Sequence, residues 1–114
     1  MIVSARTNGR GSYGLRVLSA KQLGLWFRPE WERVTVKLPD DEAPVTVAIT
    51  DSFWSDCPCL RSVRFRDFLD RNGLLPWPKD RPPHFELVSL GGGDFELRWL
   101  EHRERQPRLR LFAS

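Results

Sequence analysis

Hydrophobic and polar residues alternate along most of this chain. In "RVTVKL", residues 33–38, Val34, Val36 and Leu38 alternate with Arg33, Thr35 and Lys37, the period of two that turns one face of a strand to a core and the other to water. "PVTVAIT", 44–50, repeats the pattern with Val45, Val47 and Ile49, and the intervening "PDDEA" has the length and residue types of a hairpin loop. A second hairpin is written in "HFELVSL" and "DFELRWL" around Gly91, Gly92 and Gly93. Phe85, Leu87 and Ser89 share one face of it, and Phe95, Leu97 and Trp99 the matching face of the partner strand. "IVSAR" and "YGLRVLS" flank "NGRG", where Asn-Gly is a strong turn signal, so Arg10 is expected at an exposed hairpin tip. "RLRLFA", 108–113, adds a last alternating strand behind Pro107.

The period changes once. From about Pro58 or Leu60 to Asn72, "LRSVRFRDFLDRN" places Phe65, Phe68 and Leu69 on one helical stripe, and Asn72-Gly73 supplies a left-handed stop with Leu74 packing back onto the last turn. Asp67 with Arg71 and Arg66 with Asp70 stand four apart and pair along that helix, which leaves Arg61 and Arg64 the freer cations. "LPWPKDRPP" carries Pro76, Pro78, Pro82 and Pro83 and reads as a stiff, extended connector. "LGLWFRPEW", 23–31, fits neither period cleanly and is read as a wrapping segment. The expected fold is α+β and mainly β: a small, partly closed antiparallel β-barrel of about seven short strands with one inserted helix. Closure removes the edges that so many strands otherwise expose. The layout resembles that of small DNA-binding pseudobarrels and of SH3-like or oligonucleotide-binding barrels, a likeness of architecture that by itself implies no function.

Composition narrows the class. A chain of 114 residues matches one domain, 1–114. Five tryptophans and seven phenylalanines within a 40% hydrophobic composition can fill a core, which argues against disorder. No apolar run approaches the roughly 18–20 residues of a membrane span, and "MIVSARTNGRGS" lacks the apolar region of a signal peptide, so a cytoplasmic protein is expected. Cys57 and Cys59 are separated by one residue; a bridge between them would close a very small loop, and they read as packing residues near the helix start. With His84 and His102 they number four zinc-type ligands, but the spacings match no compact zinc signature, and no metal or cofactor is expected. Ser52 and Ser55 lie near Asp51 and Asp56 without a base fixed beside them, "CPCLRS" has no nucleophile elbow, and "GGGD" lacks the lysine and helix of a phosphate loop. Asp40 and Asp41 read as solvated turn residues. No catalytic constellation emerges, and the expectation is a non-enzyme.

Charge supplies the functional reading. The net charge of +3 is modest, but residues 1–28 hold Arg6, Arg10, Arg16, Lys21 and Arg28 with no acid, whereas residues 29–60 are acidic. Arginine greatly outnumbers lysine, a bias that genome base composition also produces but that suits bidentate phosphate recognition. On inward-facing apolar strands, Arg16, Arg98, Arg108 and Arg110 point outward and join Arg6 and Arg10 in a basic face. Tyr13 and Trp26 add rings for base stacking. The expected partner is nucleic acid, DNA or RNA, held through backbone charge. The alternative is a protein-interaction or regulatory subunit, or a homodimer, anchored by Trp54 and Trp77 beside their prolines.

Overall fold

The alternating segments pair into one sheet. The computed structural model describes residues 1–7, 12–78 and 80–100; the strand expected at 108–113 and the tip residue Arg10 lie outside them. The strands are β1 (Ile2–Thr7), β2 (Tyr13–Val17), β3 (Arg33–Lys37), β4 (Val45–Ala48), β5 (Cys59–Arg61), β6 (His84–Gly91) and β7 (Asp94–Trp99). The three hairpins β1–β2, β3–β4 and β6–β7 pair antiparallel, with Thr7 opposite Tyr13, Val36 opposite Val45 and Leu87 opposite Leu97. At the last of them Gly91, Gly92 and Gly93 all take positive φ, 102°, 62° and 89°, a backbone that side-chain-bearing residues resist.

The sheet order is β4-β3-β7-β6-β1-β2-β5. Its edge strands β4 and β5 approach one another, so the sheet curls into a nearly closed barrel. The inward residues Val3, Leu15, Val34, Val36, Val47, Phe85, Leu87, Phe95 and Leu97 fill it. The expected all-antiparallel arrangement fails at one seam: β3 and β7 run parallel, with Val36 beside Phe95 and Thr35 Oγ1 donating to Asp94 Oδ1 at 2.7 Å. Short turns dictate antiparallel pairing within each hairpin, but the joint between two hairpins is free to take either sense.

Among the described residues three helices are present where one was expected: α1 (Ala20–Trp26), α2 (Asp51–Ser55) and α3 (Val63–Arg71). The Ser19 side chain caps α1 by accepting from the Gln22 N–H, and no residue of that helix is buried, which is why its apolar spacing carried no clear signal. α2 buries Phe53 alone. α3 buries Phe65, Phe68 and Leu69 against the barrel. It starts later than the spacing suggested because Cys59, Leu60 and Arg61 pair with Arg16, Leu15 and Gly14 as β5; Ser62 Oγ then accepts from the Arg64 N–H as the cap. At its end Gly73 takes φ 71° and the Leu74 N–H bonds the Leu69 carbonyl at 2.8 Å, a left-handed stop.

The acidic turn after β3 is not simply solvated. Asp40 accepts two bonds from the Arg71 guanidinium, at 2.8 and 2.9 Å, and one from Asn72 Nδ2 at 2.9 Å. Arg64 reaches Asp41 Oδ2 at 2.8 Å and the carbonyls of Ala43 and Pro44 at 2.8 and 3.0 Å. Arg71, expected to pair with Asp67 along the helix, instead bonds Asp40, and Arg64, expected to be one of the freer cations, is held by Asp41 and the turn carbonyls. Cys57 and Cys59 are joined by a disulfide, a bond beyond the packing role expected of them, and Cys59 is buried. The Cys59 N–H bonds the Cys57 carbonyl at 2.7 Å across Pro58, and this tight reversal holds the Cα atoms 5.5 Å apart, inside the usual disulfide range of about 4.4–6.8 Å.

Candidate nucleic-acid interface

Strand alternation sends Arg6 and Arg16 outward from neighbouring strands. Leu15 and Val17 of β2 and Val3 and Ala5 of β1 face the core, so the intervening residues Gly14, Arg16, Ser4 and Arg6 line the opposite face. In register Arg16 lies between Ser4 and Cys59, and the next row runs Arg6, Gly14, Arg61 across β1, β2 and β5. Two strand spacings, about 10 Å, therefore separate the backbones of Arg6 and Arg61. Arg6, Arg16 and Arg61 are exposed, and none has a side-chain hydrogen bond or ion pair with another described residue.

Gly14 permits this row to form. A Cβ placed there would sit 2.7 Å from the Leu60 carbonyl oxygen and 3.2 Å from Arg61 Cγ, so β5 can approach β2 this closely only against a glycine.

Arg6 and Arg16 border a cavity of about 330 Å³ whose wall also includes Leu18, Pro82 and Trp77. The proline-rich connector brings that tryptophan in. Pro83 accepts a backbone bond from the Ala5 N–H at 2.8 Å, so the chain ahead of β6 runs alongside β1. Trp77 then packs edge-on to Tyr13, ring centres 6.1 Å apart at 82°. Trp77 also lines a second cavity, of about 340 Å³, together with Arg81, His84, Phe85 and Trp99. No acidic side chain borders either cavity among the described residues.

The structure thus brings together Arg6, Arg16 and, through Trp77, Tyr13. Arg98 is outward on β7, two strands from β1 in the sheet, with its guanidinium on Glu96 Oε1 at 2.9 and 3.2 Å. Arg10, Arg108 and Arg110 lie outside the described residues. Trp26 stands 44% exposed on α1, its indole N–H on Gln22 Oε1 at 2.9 Å. Trp54 is exposed on α2, edge-on to the buried Phe53.

Sequence reasoning placed Trp77 in a different surface and put Arg61 on the helix; Arg81 it left unassigned. The alternation of β5 is three residues long, too short to register as a period, and the path of a proline connector has no period at all. No protein-family model, curated protein or solved structure matches this chain, so the chemistry of this face is the basis for a functional reading. No helix among the described residues is long and apolar enough to cross a membrane.

Proposed function

We propose that this protein is a non-enzymatic nucleic-acid-binding domain that grips the phosphate backbone with the outer face of β1, β2 and β5. The observation that carries the reading is the cluster of Arg6 and Arg16, exposed, without a partner among the described residues, and sharing a cavity wall with Trp77. Arginine presents a planar fork suited to phosphate oxygens, and neutralising phosphates releases condensed counterions, which drives association without sequence readout. Arg61 extends the grip along the Arg6–Gly14–Arg61 row. Arg10, Arg108 and Arg110 remain proposed contacts on the strength of their sequence positions, whereas Arg98 is already engaged by Glu96.

The test is a titration of labelled DNA and RNA against the protein at low and at moderate salt. Affinity is expected at low salt and is expected to fall steeply as salt rises. Absence of binding at low salt overturns the reading.

A second reading has its own observation. Leu18, Leu25, Trp26 and Trp54 are large apolar side chains standing exposed on the described surface, and such groups serve as anchors for a protein partner or a second copy of the chain. Light scattering separates the two: a stable oligomer unaffected by Arg6→Glu and Arg16→Glu favours this alternative.

A further inference from the structure

We infer that the cavity shared by Trp77 and Trp99 receives one unstacked base, so that the strand bound by the basic face is single-stranded; this rests on the nucleic-acid reading above. The cavity has about 340 Å³ of space, near the lower end of the range of about 300–1,000 Å³ seen for small-ligand sites, which suits one ring system rather than a stacked pair. Its floor is the buried Phe85, on which Trp99 packs with ring centres 5.4 Å apart. Trp99 is further held by Phe68 at 5.4 Å, so this wall is anchored to the core. Trp77, between Pro76 and Pro78, also lines the cavity, and the two pyrrolidine rings restrict the backbone that carries the indole.

The polar groups fit a nucleotide. Arg81 lines the cavity, is exposed and has no side-chain partner among the described residues; it supplies a guanidinium for the phosphate next to the base. The His84 Nδ1 lies 2.8 Å from the Pro82 carbonyl oxygen, so Nδ1 carries a proton and, in the neutral ring, Nε2 is an acceptor for a base amino or imino group. Because Trp77 borders both cavities, the base site and the Arg6–Arg16 phosphate site are contiguous. A base inside a duplex has to leave its pair and its stack to enter such a site, whereas an unpaired strand offers its bases freely.

The experiment compares a short fluorescent oligothymidylate with a duplex of the same length at low salt, using the intact protein and the variants Trp77→Ala and Arg81→Glu. The single strand is expected to bind about tenfold more tightly than the duplex, and each substitution to weaken single-strand binding by about tenfold, which for Trp77 is roughly what one stacked base contributes. Trp77 also touches Tyr13, so a destabilised Trp77→Ala protein leaves Arg81→Glu, a surface change, as the deciding variant. Equal affinity for the two forms, or single-strand affinity untouched by Arg81→Glu, overturns the base site and leaves the basic face standing. Failure of both forms to bind overturns the two proposals together.

Discussion

Gly14 shows how one residue governs the candidate site. Its missing side chain lets the Leu60 carbonyl of β5 approach to a distance no Cβ tolerates, and that approach sets Arg61 in line with Arg6. Gly14→Ala has to push a backbone carbonyl aside rather than a flexible side chain, and is expected to destabilise the protein by about 1–3 kcal/mol, read as a lower denaturant midpoint. A loss well below that range would show that β5 shifts freely on β2. Arg98 carries a lesson in legibility at the same scale. Alternation placed it outward, as found, and the same alternation sets Glu96 beside it two positions away on that face. The pairing was therefore readable from spacing, whereas that of Arg64 with Asp41, residues 23 apart, was not.

Between elements, the turn after β3 and the helix α3 act as a clasp. Chiefly the hydrogen bond from Arg71, with a smaller contribution from Asn72, holds the Asp40 carboxyl below its ordinary value of 3.8. Asp41 is lowered first by the Ala43 N–H and then by Arg64. A carboxylate with a depressed folded-state pKa stabilises the fold above its unfolded pKa and loses that contribution as pH falls through the folded value. Asp40→Asn is therefore expected to melt below the parent protein at neutral pH, by no more than a few degrees because the pair is partly exposed. The gap should close as pH drops below 3.8. A gap that is constant across the acid range would assign the effect to packing and not to charge. The amphipathic stripe of α3 was legible because Phe65, Phe68 and Leu69 are all buried on one side. α1 buries nothing and α2 only Phe53, so neither prints a period that a reader can follow.

Across the whole molecule, the basic face exists because the first hairpin lies next to β5 on one side and β6 on the other. If Arg6 and Arg16 each neutralise a phosphate, replacing both with glutamate should lower affinity and flatten the dependence of log affinity on log salt by about 1.4–1.8. An unchanged slope would remove both residues from the contact. The order of apolar and polar positions by itself determined the three hairpins, the inward and outward sense of their strands and the existence of α3. Each of those follows from interactions within a few residues: a turn, a period, a cap. Only the tertiary structure decided the parallel joint of β3 with β7, the addition of β5, the capture of Asp40 and Asp41 by α3, and the arrival of Trp77 beside Arg6 and Arg16. These depend on contacts between segments far apart in the chain, and such contacts are selected by how the barrel closes and packs rather than by any local pattern.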